Sequence, residues 1–197
     1  MNSPFIVFEG MDGAGKSVIS SLVAKKLKAI HLESPIGQFK ALREYVDEYL
    51  PNSGRFHFYM ASNFDLSNKI REYKTNNTCV ICTRYIYSSI IGYASRQNID
   101  IETLYKRSMA EKDELEKPDL TFFLYVDKAQ QRLRIKSRSD IENSKSDFMS
   151  LNDESYQRRL SMNYKYISEK ENWLHIDTTS KDISEVVDLC IEAISNL

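Results

Sequence analysis

Gly10-Met11-Asp12-Gly13-Ala14-Gly15-Lys16-Ser17 follows the apolar run Phe5-Ile6-Val7-Phe8 and precedes Ile19, Leu22, Val23 and Leu27, which recur at helical spacing. Strand, glycine-rich turn and helix is the setting in which G-x-x-x-x-G-K-[ST] forms a P-loop. Glycines let successive backbone N–H groups turn inward around phosphate oxygens, and the helix start adds partial positive charge there. Lys16 reaches the phosphates as a point charge, and Ser17 offers a hydroxyl ligand to Mg²⁺. The chain has only six glycines, so a chance cluster with the right elements on both sides is a poor explanation. The stretch predicts binding of a nucleoside triphosphate.

Composition bounds the rest. At 197 residues the chain suits one domain with a real core. Its 42% hydrophobic and 28% charged residues are ordinary for a globular protein. A net charge of −1 gives no footprint for nucleic acid or a membrane surface. No apolar run approaches the length of a membrane span, and the N-terminus runs into a strand without a signal peptide. Cys79 and Cys82 form a C-x-x-C, but inside a strand pattern their side chains point to opposite faces and cannot chelate together. With Cys190 they read as packing residues in a reduced, cytoplasmic setting.

Along the chain, strands are expected at 5–9, 29–32, 78–82, 120–126 and 173–176. Helical patterns lie between them: from Ser17, at 38–50, 55–73, 85–95, 101–116, 128–137 and 154–170, with a last helix after Asp182-Ile183-Ser184-Glu185, which resembles a capping box. Pro51-Asn52-Ser53-Gly54 reads as a breaker, and Asp100 as an N-cap. Residues 139–152 form a polar stretch with few apolar anchors, of the kind that is either functional or disordered when it occurs in a compact domain. Strands alternating with helices predict an α/β fold: a parallel sheet covered on both faces, in three α/β/α layers. In such sheets sites form at the carboxyl ends of strands. The P-loop, Glu33, Thr83-Arg84 and Asp127 all fall there.

Three classes of P-loop protein compete. A GTP switch would carry N-K-x-D, and the only Asn-Lys, Asn68-Lys69, is followed by Ile70-Arg71. A nucleic-acid-dependent ATPase needs more length and a basic surface. A small phosphoryl-transfer kinase needs a P-loop, an acceptor cleft and mobile arginines, and the chain has candidates for each.

The residues resemble the thymidylate kinases. Phe8-Glu9-Gly10-Met11-Asp12-Gly13-Ala14-Gly15-Lys16-Ser17 is similar to that family's F-E-G-x-D-G-x-G-K-[ST]. Thr83-Arg84-Tyr85-Ile86-Tyr87-Ser88-Ser89 is similar to its D-R-Y-x-x-S-S, and Pro118-Asp119-Leu120-Thr121-Phe122-Phe123-Leu124 to its P-D-L-T-F-x-L. Arg134 and Arg138 fit the R-I-x-x-R entry to a lid at about 138–152. Tyr164 and Ile176-Asp177 fit later landmarks, so the resemblance is collinear over nearly the whole chain. Deoxynucleoside kinases share much of this frame.

The resemblance implies a P-loop kinase fold with a five-stranded parallel sheet, and ATP- and Mg²⁺-dependent phosphorylation of a nucleoside monophosphate by a homodimer. Gly10 through Ser17, with Val18, would hold ATP: Lys16 on its β- and γ-phosphates, Ser17 on the metal. Asp12 would face the acceptor sugar, and Arg84 would clamp the acceptor phosphate, for which a planar guanidinium is well suited. Arg138 and Arg134 would stabilise the transferring group; the lesser alternative is that with Arg132 they form a solvated helix face. Glu33, Tyr59, Asn63, Ser88 and Tyr93 complete the expected acceptor site. Tyr59 and Phe56 are residue types found more often in a core than as stacking platforms, and Asp127 is as readily an N-cap.

Departures from the family pattern fall on the acceptor side. The D-R-Y aspartate is Thr83, the A-N-R arginine is Asn63, the A-Y-Q segment is Ile91-Gly92-Tyr93, and the R-E-P-G-G-T loop shortens to Leu32-Glu33-Ser34-Pro35. The donor side is intact. Two alternatives therefore stand beside a monophosphate kinase: a nucleoside kinase with Glu33 as general base, and a nucleotide-binding protein that has lost catalysis. The three histidines share no spacing that suggests a role.

Overall fold

The computed structural model describes residues 3–137 and 152–197. The strands β1 (Phe5–Gly10), β2 (Ile30–Glu33), β3 (Val80–Thr83), β4 (Leu120–Tyr125) and β5 (Leu174–Asp177) form one sheet in the order β2-β3-β1-β4-β5. Every neighbouring pair is parallel, so all strands deliver their carboxyl ends to one edge.

The helices among the described residues are α1 (Lys16–Leu27), α2 (Gly37–Tyr49), α3 (Asn52–Thr75), α4 (Ile86–Gln97), α5 (Ile101–Arg107), α6 (Met109–Glu114), α7 (Lys128–Lys136), α8 (Glu154–Lys170) and α9 (Ile183–Ser195). Period-2 alternation along the strands sorts the core into two faces. Phe5, Val7, Cys82 and Phe123 pack with residues of α3, α4 and α8, including Leu66, Ile90 and Ile167. Ile6, Phe8, Ile81, Phe122 and Leu124 pack with Val23 of α1 and Val187 and Cys190 of α9. The result is the expected three layers, helices on both sides of the sheet. Cys79 packs against the second face and Cys82 within the first, and all three cysteines are free.

Helix starts follow side-chain chemistry. Asp100, Asp127 and Asp182 each accept a hydrogen bond from the backbone N–H three residues on, and Asp182 with Glu185 closes a complete capping box. Two boundaries differ from the sequence reading. Pro51 does not open a long break; it is the N-cap of α3, and Gly54 lies inside the helix, because proline is well tolerated at a helix start. The helix expected at 101–116 is interrupted at Ser108, whose φ of −95° and ψ of 11° separate α5 from α6. The polar segment expected as a lid, 138–151, lies outside the described residues, and Arg138 with it.

Candidate active site

β1 ends at Gly10, φ 143°, where a Cβ would stand 2.1 Å from the carbonyl oxygen of Leu124 on β4. Only glycine lets the chain leave the sheet this close to its neighbour. The loop then turns with the Ala14 N–H donating to Met11 O (3.2 Å) and enters α1 through Gly15, φ 91°, an N-cap without a side-chain hydrogen bond. The first turn of α1 is thereby left to an anion. Lys16 is buried, donates to Met11 O (2.7 Å) and lies 3.7 Å from Asp12 Oδ1.

The loop is braced from behind by residues far away in sequence. Gln131 Nε2 donates to Asp12 O (2.7 Å) and is itself fixed by Gln157 Nε2, 2.6 Å from Gln131 Oε1. Arg134 donates to Thr178 O (2.6 Å), Thr178 Oγ1 (3.0 Å) and Gly13 O (3.4 Å), while Thr178 Oγ1 donates to Ala14 O (3.3 Å). Here Arg134 ties the loop to the turn after β5; it lines neither of the cavities described next. Ala14 is wholly buried and serves as a spacer of the loop.

Two cavities meet at the loop. One, of about 220 Å³, is bordered by Gly13, Gly15, Lys16, Ser17, Val18 and Glu33 among others. Lys16, the uncapped helix start and the Ser17 hydroxyl suit a polyphosphate and its metal ion. Among the described residues no cluster of three or more His, Cys, Asp or Glu is arranged to hold a metal by itself. The other cavity, of about 130 Å³, lies between the loop, α2, α3, α4 and α8. Asp12, Tyr59, Arg84, Ser88 and Tyr93 line it, as the sequence suggested, with Gly10 and Met11 at its loop end. Asn63 does not: it is 1% exposed, and its amide donates to Tyr59 O (2.9 Å) and Ser89 Oγ (3.2 Å). Glu33 borders the loop cavity and not this one.

Arg84 joins the two spaces. Its φ of 68° puts a non-glycine residue in the left-handed region, a local cost of roughly 1–3 kcal/mol of the sort that persists at functional sites. Its N–H bonds Phe8 O (3.0 Å), and its guanidinium donates to Asp12 and to Ser88 Oγ (3.4 Å). Burial opposes its charge, but Asp12, Tyr164 and Glu9 outweigh that and raise its pKa above the usual value. Glu9, fully buried at the end of β1, holds the strand onto the start of α4. It accepts from Tyr85 N (2.9 Å), Ser88 N (3.2 Å) and Ser88 Oγ (2.6 Å). Burial raises its pKa, opposed by these hydrogen bonds and by Arg84 and Lys16.

Several cavity residues were not singled out in the sequence: Arg43 and Asp47 on α2, Arg55 on α3 and Arg96 on α4. Asp47 Oδ1 accepts from Arg55 (Nη2 2.8 Å, Nε 3.1 Å) and from the Tyr59 hydroxyl (2.9 Å). Burial and then Asp47 push the Tyr59 phenol up to about 12. Phe56 stacks on Tyr93 with ring centroids 4.5 Å apart and 19° between planes, so both rings form one wall. The i, i+4 spacing of Arg43 and Asp47 was the available signal, and it reads equally as a surface ion pair. His31 has a place after all. Its Nε2 lies 2.9 Å from Thr83 Oγ1 and 3.0 Å from Ser20 Oγ, with Ser20 and Thr83 2.6 Å apart, so the Thr83 hydroxyl is occupied within this triangle.

A phosphate-binding loop and an arginine-lined cavity, meeting at the carboxyl edge of a parallel sheet, define a P-loop nucleotide kinase. The sequence matches the thymidylate kinase family over residues 8–190, and the chain belongs to that family, a family of nucleoside-monophosphate phosphotransferases. It is 30% identical to a probable thymidylate kinase of Methanocaldococcus jannaschii over all of this chain and 98% of that protein. It is 33% identical to one from Methanococcus maripaludis over 96% of this chain and 94% of that protein. In structure it superposes on the thymidylate kinase of Candida albicans with a TM-score of 0.79 at 21% identity, covering 99% of this chain and 92% of that one. For the enzyme of Ehrlichia chaffeensis the TM-score is 0.74 at 22% identity, with 99% of both chains covered.

Proposed function

We propose that this protein transfers the γ-phosphoryl group of ATP to the phosphate of a nucleoside monophosphate, with dTMP the first acceptor to test, as one domain acting in the cytoplasm. The observation that carries the reading is the shared border of the two cavities. Asp12, Arg43 and Arg84 line both, so a polyphosphate on the loop faces an anion-binding space across a single gap. An oxygen of the acceptor phosphate attacks the γ-phosphorus while the bond from that phosphorus to the β-bridging oxygen breaks, giving ADP and a nucleoside diphosphate.

Lys16 would hold the β- and γ-oxygens, Arg84 the acceptor phosphate, and Asp12 would keep Arg84 and Lys16 in register. Mg²⁺, held by the Ser17 hydroxyl and the phosphates, would supply further neutralisation of charge on the transferring group. The acceptor cavity carries four guanidinium groups, Arg43, Arg55, Arg84 and Arg96, against two carboxylates, Asp12 and Asp47. That excess of two positive charges matches a phosphate monoester of about −1.5 to −2 at neutral pH, and favours a monophosphate over an uncharged nucleoside. The family's dimer is proposed here too: Leu42, Tyr45 and Tyr49 leave an apolar stripe of α2 more than half exposed, as an interface would require.

The test is an ADP-release screen of nucleosides and nucleoside monophosphates with Mg–ATP. Release should depend on a monophosphate and vanish in Lys16→Ala. ADP release supported by nucleosides alone, or by no acceptor although Mg–ATP binds, would refute the reading.

A further inference from the structure

We propose that Arg96 selects the base of the acceptor: its guanidinium donates to a keto oxygen of a pyrimidine, in room that Gly92 leaves for it. The inference rests on the reading that this cavity takes a nucleoside monophosphate, and it concerns the nucleoside end of that ligand.

Ser88, Gly92 and Arg96 recur every four residues along α4, so they share one stripe of the helix, and all three line the acceptor cavity. Ser88 marks the end nearest the loop, because its hydroxyl meets Arg84 and Glu9. Arg96 borders the acceptor cavity and not the loop cavity. Helical side chains lean toward the start of their helix, and Arg96 does so: a Cβ at residue 92 would stand 3.1 Å from its Nη1. The guanidinium therefore lies at the level of Gly92, one turn and about 6 Å beyond Ser88. A nucleotide whose phosphate is held by Arg84 has its nucleoside at that level. The stacked rings of Phe56 and Tyr93 wall the same cavity. An aromatic wall suits the face of a base, and a fork of donors suits an oxygen on its edge.

No described residue uses that fork. Among the described residues Arg96 makes no hydrogen bond and no ion pair, and its Nε is buried without a partner. Its guanidinium carbon lies 5.8 Å from the centre of the Tyr156 ring, a platform that is 1% exposed. Arg84 and Arg55, by contrast, are committed to Asp12 and Asp47. The family's A-Y-Q tyrosine falls on Gly92, and a side chain there would compete with the guanidinium for its place. A guanidinium has five donors and no acceptor. It pairs with a keto oxygen, whereas an amino group in the same position would set donor against donor. Thymine carries two keto oxygens; cytosine has an amino group in place of one of them.

The measurement is calorimetric binding of dTMP, dCMP and thymidine to the parent protein, Arg96→Met and Arg96→Lys, with melting curves alongside. Methionine keeps an apolar stem on Tyr156. The parent should bind dTMP at least about tenfold more tightly than dCMP. Arg96→Met should weaken dTMP and thymidine alike by about 10- to 100-fold, the range for hydrogen bonds to a charged group, and leave dCMP within about threefold. Arg96→Lys should keep part of the preference, since it retains charge and donors but not the fork. The ratio of dTMP to dCMP affinity on one preparation does not depend on how much of it is folded. The proposal is overturned if both monophosphates weaken by the same factor, if dTMP is unchanged, or if dTMP weakens and thymidine does not, which would put Arg96 on the phosphate. A parent that binds thymidine but not dTMP would overturn the monophosphate reading alone, and thymidine against deoxycytidine would then test Arg96.

Discussion

Replacing Gly10 and Gly15 by alanine, one at a time, separates two reasons for a glycine in the same loop. At Gly10 a Cβ would stand 2.1 Å from Leu124 O and 3.1 Å from Leu124 C, both backbone atoms of β4. Neither can swing aside, because Gly10 and Leu124 are register partners of the central strand pair. Contact needs at least about 3 Å, so β1 and β4 must part by nearly 1 Å where the loop leaves the sheet. Forcing volume into a packed interior costs about 1–3 kcal/mol, and a side chain at φ 143° adds about 1–3 kcal/mol of backbone strain. The expected loss is about 4 kcal/mol, which for a domain of this size lowers Tm by about 12 °C. At Gly15, φ 91°, the nearest atom to a Cβ is Ile19 Cγ1 at 3.7 Å, an ordinary contact. Only the backbone term remains, about 2 kcal/mol, or about 6 °C. Scanning calorimetry of the two variants without nucleotide reads both numbers. The reasoning fails if Gly10→Ala melts within about 3 °C of the parent, or if Gly15→Ala is the less stable of the two.

Two further outcomes follow from the Ser20–His31–Thr83 triangle. Burial holds the His31 imidazole below its ordinary 6.5, opposed by Glu33. Between the folded pKa and 6.5 the unfolded chain binds more protons, so this contribution is present above 6.5 and is lost as pH falls through the folded pKa; urea midpoints should drop from pH 7.5 to pH 5.5 by less in His31→Asn than in the parent. In Thr83→Asp a carboxylate would face His31 Nε2, now 2.9 Å from the Thr83 hydroxyl, and favour imidazolium. The His31 contribution should then invert, present below 6.5 and lost as pH rises through the raised pKa, which an NMR titration of His31 shows directly; an unmoved His31 pKa would refute the placement.

Much of the fold was legible because the decisive signals are local. The apolar run Phe5–Phe8 forms β1, the glycines after it lead into α1, and the aspartates at 100 and 182 cap helices, each acting within a few residues of itself. The misread boundaries are those where local chemistry points two ways. Pro51 stops one helix and caps the next, and Ser108 interrupts a pattern whose apolar spacing continues across it. The loop after β1 was legible for the same reason as the strands: the strand, the glycines and the helix start lie in consecutive residues.

The acceptor side obeys a different rule, and residue 63 shows it. A site built from side chains of several elements needs only that some guanidinium reaches the gap, and not that it comes from one position. Read along the chain, Asn63 looks like a lost arginine, and Arg43 and Asp47 look like a surface ion pair one helical turn apart. Only the packing of α2 beside α3 shows that Asp47 is bonded by Arg55 and Tyr59, and that Arg43 borders both cavities. Thr83 makes the same point in reverse. Its sequence position suggests a site residue, and it does border the loop cavity, yet its hydroxyl is engaged by Ser20 and His31. A motif letter records a position; where its side chain ends up is decided by the packing of elements far apart in the chain, which no local pattern carries.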